Sequence, residues 1–163
     1  MSRRPSGVRV KDAGFLDRLN ATGDLPDINV WLALSIKEHP HHAAAAAYWS
    51  DLSLARIWFC RVTMLGLVRL LTQPAVSQKA AMSLQEALGF YSEISALSNI
   101  SGVAEEPSEI ENVLGQFVYP KLPPKHFTDA YLAAFAVCSG LRLVTFDKDF
   151  ERFEGLNLLR LTS

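Results

Sequence analysis

The chain has 163 residues, of which 49% are hydrophobic, and 16 lysines and arginines stand against 17 aspartates and glutamates, giving a net charge of −1. This length fits one compact domain, and the apolar content excludes a largely disordered chain. The near-neutral charge excludes a global positive field, so any contact with nucleic acid must be local.

The first residues show no sustained apolar periodicity. Residues 1–24 are therefore predicted to be a tail or extension outside a domain that spans residues 25–163. The charges in VRVKDAGFLDRL argue against a signal peptide, and no run approaches the ~18 apolar residues of a membrane span. The widely spaced Cys60 and Cys138 lack the pattern of a zinc site or a disulfide framework. A cytoplasmic protein with no membrane partner is predicted.

From residue 25 onward, apolar periodicity and turn residues predict helices that alternate with strands. Periodicity assigns the apolar block at 25–39 to neither state, although Pro26 argues against a central strand that runs through it. Helices are predicted at 42–54, 61–72, 78–97, 108–117 and 127–140, strands at 55–59, 141–146 and 156–161, and a proline-rich loop at 119–125. This alternation predicts an α/β sandwich around a parallel sheet.

Three carboxylates occupy unusual places for a charge. Asp27 lies inside the apolar block, Asp129 in the first turns of an otherwise apolar helix, and Asp147 directly after a buried strand. An isolated buried carboxylate is costly unless it is paired, protonated or bound to a metal. Each also has an ordinary interpretation, since aspartates stabilise helix N-termini and occur in turns.

Taken together, the three aspartates predict one ligand site. In an open parallel sheet, the carboxyl ends of the strands and the N-termini of the helices line one crevice. Asp147 ends a strand, Asp129 begins a helix at that level, and Asp27 ends the first strand if a helix starts at Ile28. Oxygen ligands without His or Cys suit Mg²⁺ or Mn²⁺, which activate water for attack on a phosphate. Hydrolysis of phosphodiesters is the predicted reaction.

Four segments then carry a resemblance to a known family. In chain order, LPDINVWLAL, FCRVTMLGLVRLLTQPAV, HFTDAYLAAFA and LVTFDKDF resemble the PIN-domain ribonucleases, and within them the VapC-type toxins of toxin–antitoxin pairs. The resemblance spans residues 25–161 and implies a three-layer α/β/α sandwich with a central parallel sheet. It also implies an endoribonuclease that uses Mg²⁺ or Mn²⁺ at Asp27, Asp129 and Asp147, a cognate antitoxin and a homodimer.

One position departs from the family pattern. The family usually has a glutamate in the helix that matches TMLGLVRLL, and Gly66 stands at that position in this chain. The missing carboxylate leaves open a single cation, weaker metal affinity or low activity. Two alternatives therefore accompany the toxin hypothesis: a catalytically weakened PIN-fold module that binds RNA or protein, and an RNA-processing nuclease without a toxin role.

Other polar side chains near the aspartates are candidates for supporting roles. Those that can hydrogen-bond a ligand or add an oxygen are Asn29, Thr145, Thr128 and Asp149, and the candidate phosphate contacts are Lys125 and Arg69. Thr128 is alternatively a helix cap, Asp149 a solvated turn residue and Arg69 a member of a structural pair.

Aromatic residues of the early helices are candidates for the contact with an antitoxin. Trp31, Tyr48 and Trp49 are named for a groove that accepts a partner segment. Packing in the core is the alternative for at least one of them.

Overall fold

The computed structural model describes residues 23–51, 56–77, 81–118 and 121–163. Of the predicted N-terminal tail, residues 1–22 lie outside the described residues. Asp24, the last residue assigned to that tail, already begins the first strand.

Parallel strands form the centre of the fold. Their bounds are β1 Asp24–Pro26, β2 Ile57–Phe59, β3 Ile100–Val103, β4 Arg142–Thr145 and β5 Leu158–Arg160. They form one sheet in the order β3-β2-β1-β4-β5, and every neighbouring pair is parallel. β1 is the central strand, and Pro26 is accommodated because the strand ends there.

Helices cover both faces of this sheet. In the described ranges they are α1 Ile28–Ser35, α2 His42–Ser50, α3 Arg61–Leu71, α4 Pro74–Ser77, α5 Leu84–Ser95, α6 Ile110–Val118 and α7 Phe127–Ser139, with short 3-10 turns at Pro124–His126 and Lys148–Arg152. Val144 packs with α1, α2, α3 and α5, whereas the adjacent Leu143 packs with α6 and α7. The predicted three-layer α/β/α sandwich is confirmed. None of the described helices is long and apolar enough to cross a membrane.

Some predicted element ends were wrong for identifiable reasons. α5 begins at Leu84 because Ser83 caps it: Glu86 N–H donates to the Ser83 hydroxyl at 3.2 Å, and Ser83 N–H donates to Glu86 Oε2 at 2.7 Å. The prediction missed this capping box and started the helix at 78. α2 ends at Ser50, short of the predicted 54.

Two elements were not predicted at all. β3 was overlooked because Ser101 and Gly102 interrupt its apolar pattern, and Gly102 adopts a positive φ of 118°. The short α4 begins at Pro74, where the prediction had only a helix stop. By contrast, the predicted end of α7 is confirmed. Gly140 caps the helix, and its φ of 63° is the left-handed conformation of a C-terminal cap.

A buried ion pair fixes the register of the two central strands. The fully buried Arg142 donates from Nε and Nη2 to the two oxygens of Asp24, at 2.9 and 2.7 Å, and Tyr48 adds a hydroxyl donor at 2.9 Å. Asp24 is paired in register with Arg142, and Pro26 with Val144. Because a one-residue slip would turn every side chain to the opposite face, this pair determines what lies beside the end of β1.

Candidate active site

The three predicted aspartates lie at one edge of the sheet. Asp27 directly follows β1, and Asp147 follows the last residue of β4 by two positions. The two strands are parallel neighbours, so their carboxyl ends meet at the same edge. α7 leads back across the sheet before β4, which brings Asp129 in its first turn to that edge. The negative charges of Asp129 and Asp147 both act on Asp27.

Thr145, the last residue of β4, carries a fully buried hydroxyl that organises this edge. It donates to Asp27 Oδ2 and accepts from Asn29 Nδ2 and from the backbone N–H of Asp147, each at 3.0 Å. The single donor and both acceptor positions of the hydroxyl are therefore used. Asn29 Oδ1 accepts from the Phe146 N–H at 3.4 Å. These contacts hold the Asp27 carboxylate against the turn that carries Asp147.

Asp27 is the buried member of the three aspartates. Its carboxylate caps α1 by accepting from the Ile28 N–H at 2.6 Å. The pKa of this carboxyl is raised to about 6, chiefly by burial and in smaller part by the negative charges of Asp129 and Asp147, against the opposing effect of its hydrogen bonds. A cation bound beside these three carboxylates would neutralise their negative charges.

His126, to which the sequence analysis assigned no role, lies between two carboxylates. Its buried ring places Nδ1 at 2.9 Å from Asp129 Oδ2 and Nε2 at 3.7 Å from Asp149 Oδ2. The other Asp149 oxygen lies 3.2 Å from Arg152 Nη2. The sequence signal that could have identified His126 is its position three residues before an aspartate at the start of a helix.

Gly66, the position of the absent glutamate, lies in α3 against the residue that follows Asp27. A Cβ at Gly66 would stand 2.4 Å from Ile28 Cδ1 and 3.0 Å from Ile28 Cγ1. Ile28 therefore fills the space that a side chain at Gly66 would enter. α3 also contains no acidic residue, so this helix contributes no carboxylate to the site.

Lys125, Thr128 and Arg69 are the remaining candidates from the sequence. Lys125 is exposed in the turn just before His126, which keeps it a candidate phosphate contact. Thr128 is exposed inside α7 and does not cap it, because the helix begins one residue earlier. Arg69 lies in the last turn of α3, about 12 Å along the helix from the end near the aspartates. A phosphate contact of Arg69 at this site stays a prediction.

The chemistry of the carboxylates fits a hydrated divalent cation. Within the part of the chain that the structure describes, no three His, Cys, Asp or Glu side chains lie close enough together to hold a metal ion as they stand. Mg²⁺, however, usually keeps several waters and takes only one or two protein carboxylates. Asp27 accepts two hydrogen bonds, Asp129 accepts one from His126, and Asp147 accepts one from the Asp149 N–H at 2.8 Å. Each aspartate offers roughly four lone-pair positions, so oxygens remain for a cation.

A cleft of about 740 Å³ lies next to this site. It is lined by the C-terminal part of α6 and by residues 121–123 and 152–155. Lys121 and Arg152 bring positive charge to the cleft, and Arg152 also contacts Asp149. Glu154 adds a negative charge to the same lining, and the three aspartates do not belong to it, so the cleft is connected with the site through the contact between Arg152 and Asp149.

A separate apolar groove of about 320 Å³ lies between α1, α2 and α5. Its apolar lining includes Trp31, Leu34, Trp49, Phe90, Ile94 and Leu97. Trp31 is buried and stacks on Phe59, with ring centroids 4.1 Å apart, so it serves the core as well as the groove. Tyr48 is buried against Asp24 and does not line the groove. Of the three aromatic residues named from the sequence, the half-buried Trp49 is therefore the one that a partner can reach.

Comparisons with known proteins agree with this architecture. The PIN domain matches residues 25–156. Ribonuclease VapC41 of Mycobacterium tuberculosis is 36% identical over 139 residues, which cover 82% of this chain and 95% of the relative.

Solved structures share the fold at low sequence identity. A structure of VapC20 from M. tuberculosis, described as a sarcin-ricin loop cleaving toxin, has a TM-score of 0.63 at 16% identity and covers 85% of this chain and 99% of its own. The VapBC-1 structure from nontypeable Haemophilus influenzae has a TM-score of 0.62 at 15% identity, with 84% and 96% covered.

Proposed function

This chain belongs to the PIN-domain family and to its VapC-type ribonucleases, and we propose that it is a Mg²⁺- or Mn²⁺-dependent endoribonuclease, the toxin of a toxin–antitoxin pair. The observation that carries the proposal is the shared edge of Asp27, Asp129 and Asp147, where the pKa of Asp27 is raised chiefly by burial and in smaller part by the charges of the other two. Repulsion among carboxylates is costly in a metal-free protein, and a bound cation offsets it.

The proposed roles of the residues follow from their contacts. Asp27, Asp129 and Asp147 would hold the cation, one or two of them directly and the rest through its bound waters, and Thr145 and Asn29 orient the first and last of these. The chemistry that Mg²⁺ or Mn²⁺ supplies at such a site is neutralisation of phosphate charge and activation of a water for in-line attack. RNA would approach along the cleft that carries Lys121 and Arg152.

Gly66 is the observation that favours the second candidate function. With Ile28 in the space beside it, the site has one carboxylate fewer than the family pattern. A PIN-fold module that binds RNA or protein with weakened catalysis is the corresponding alternative. An RNA-processing nuclease without a toxin role would share the chemistry and differ only in whether expression inhibits growth.

Asp129→Asn is expected to lower RNA cleavage by roughly a thousandfold, because a bound divalent cation contributes several kcal/mol to such a reaction. Mn²⁺ affinity, measured by titration calorimetry on the same samples, should fall with it. Cleavage is measured on a pool of single-stranded RNA oligonucleotides, and growth inhibition is scored on induced expression.

The control is Glu111→Gln, which removes one negative charge from an exposed position on α6. It should bind Mn²⁺ and cleave RNA as the wild type does. Cleavage that survives Asp129→Asn would contradict the proposal. A folded wild type that neither binds Mn²⁺ nor cleaves RNA, but still binds it, would favour the module.

We also propose that the apolar groove between α1, α2 and α5 accepts a segment of a cognate antitoxin. The support is the groove's apolar lining together with the structural similarity to a VapBC complex. Among the described residues, Trp31 Nε1 is the only buried side-chain nitrogen or oxygen without a hydrogen-bond partner, and Trp31 lines this groove. A homodimer and a cytoplasmic location stay predictions.

Trp49→Ala is expected to weaken binding of the antitoxin by about thirtyfold, since truncation of a central aromatic contact costs about 2 kcal/mol or more. Co-purification with the cognate antitoxin, followed by calorimetry, measures the loss. Leu65→Ala is the control, because Leu65 is exposed on α3 and does not line the groove. Equal affinity of the Trp49 variant and the wild type would exclude the groove as the contact.

A further inference from the structure

His126 is held between the carboxylates of two different elements. It ends the 3-10 turn Pro124–His126, where its backbone N–H donates to Pro123 O at 2.9 Å. Two consecutive prolines restrict the backbone of this turn, so the ring is placed with little conformational freedom. The imidazole is nine-tenths buried, which is unusual for a polar ring with no role in the core.

The contact with Asp129 has a defined direction. An ionised carboxylate only accepts hydrogen bonds, so Nδ1 of His126 carries the proton and donates to Asp129 Oδ2 at 2.9 Å. Without this bond, the Asp129 carboxylate would rotate freely about its last torsion, which has a broad, two-fold profile. The hydrogen bond engages one oxygen and leaves Oδ1 as the natural ligand atom.

The opposite edge of the ring faces Asp149 in the 3-10 turn at 148–152. Nε2 lies 3.7 Å from Asp149 Oδ2, and Asp149 Oδ1 lies 3.2 Å from Arg152 Nη2. Arg152 Nε also donates to the Asp149 carbonyl at 2.9 Å, so the carboxylate of Asp149 is fixed relative to its own turn. His126 is therefore hydrogen-bonded to α7 through Nδ1, and the opposite edge of its ring faces the turn at 148–152.

We propose that His126 is a positioning residue that holds Asp129 in the orientation for a divalent cation. This inference rests on the proposed metal-dependent function. Mg²⁺ requires near-ideal octahedral geometry, so a carboxylate fixed as a one-oxygen ligand is better suited than one that rotates. Hydrogen bonds from outside the ligand set act on metal sites in this way.

Two substitutions separate the hydrogen bond from the packing of the ring. His126→Phe keeps a planar ring but removes the donor, and His126→Asn places an amide N–H near the position of Nδ1. Mn²⁺ affinity by calorimetry is expected to fall about 10- to 100-fold in His126→Phe and to stay within about threefold of the wild type in His126→Asn. Thermal unfolding of the metal-free samples reports whether each variant folds, and His126→Leu replaces His126→Phe if that variant does not.

The control is His39→Phe, which changes the same residue type in the turn before α2, and Mn²⁺ affinity should be unchanged. Wild-type affinity in a folded His126→Phe would overturn the role of His126 while the proposed function stands. Equal losses in the Phe and Asn variants would also overturn it, because the hydrogen bond would then not be the cause. A wild type that does not bind Mn²⁺ would overturn both.

Discussion

Arg142→Met is expected to lower the free energy of unfolding by about 3–5 kcal/mol, because it leaves the Asp24 carboxylate buried without its cationic partner. Both side chains are almost fully buried, at 1% and 3% exposure, and two hydrogen bonds of 2.9 and 2.7 Å join them. An ionised carboxylate in that environment cannot recover the lost interaction from water. Urea denaturation at pH 7.5, followed by circular dichroism, measures the change.

The matched variant is the double substitution Asp24→Leu/Arg142→Met, which removes both charges. Replacement of a buried ion pair by apolar residues of similar volume is often neutral or stabilising. We therefore expect the double variant to recover most of the stability that the single variant loses. A double variant as unstable as Arg142→Met would show that the loss does not come from the unpaired Asp24 charge.

The same ion pair links the stability of the fold to the site. The register that joins Asp24 to Arg142 also sets the end of β1 beside the end of β4, where Asp27 accepts from Thr145. A β1 of three residues has little hydrogen bonding of its own to hold this alignment. The pair at one end of the strand thus determines the geometry of the carboxylates at the other.

The elements that could be predicted are those whose sequence pattern lies within the element and its immediate neighbours along the chain. α7 and β4 were predicted because a nearly all-apolar helix, a capping glycine and a β-rich run follow one another along the chain. β1 and β3 could not be assigned, since β1 contains Asp24 and Pro26 in three residues and β3 has little apolar pattern. Both are strands because neighbouring strands supply their hydrogen bonds, which is a tertiary effect.

The candidate site divided in the same way. Asp27, Asp129 and Asp147 could be selected because each is a charge in an apolar setting, and the parallel topology then predicts one edge. The Arg142–Asp24 pair could not be predicted, because 118 residues separate its members along the chain. His126 was missed because a single histidine before a helix has no distinctive pattern until the carboxylates on either side of it are known.

Asp27→Asn is expected to stabilise the metal-free protein at pH 7.5 and to abolish its response to Mn²⁺. The pKa of Asp27 is raised from 3.8 to about 6, so the folded state holds this proton more tightly than the unfolded state. At pH 7.5 the carboxylate is ionised in both states, and its burial costs roughly 2–3 kcal/mol. Asparagine removes that charge and still caps α1.

The sign of the pH dependence provides the test. Below pH 4 the carboxyl is neutral in both states, so its burial carries no ionic cost. As the pH rises from 4 to 6 the wild type loses this stability, and above pH 6 the loss is complete. The Tm of Asp27→Asn should therefore exceed that of the wild type by a few degrees at pH 7.5 in EDTA, and the difference should shrink toward pH 4.5.

Addition of Mn²⁺ should reverse the order of the two proteins. A ligand that binds only the folded state raises its stability by about 4.1 kcal/mol at a thousandfold excess over Kd, which exceeds the roughly 2–3 kcal/mol cost of the ionised Asp27. The wild type should gain this stabilisation at pH 7.5, and Asp27→Asn should not, since it lacks the charge that the cation neutralises. A variant less stable than the wild type at both pH values in EDTA would contradict the conclusion that the ionised Asp27 carboxylate destabilises the metal-free fold. The expected result would mean that the ionised Asp27 carboxylate destabilises the metal-free fold and that binding of a divalent cation offsets this cost.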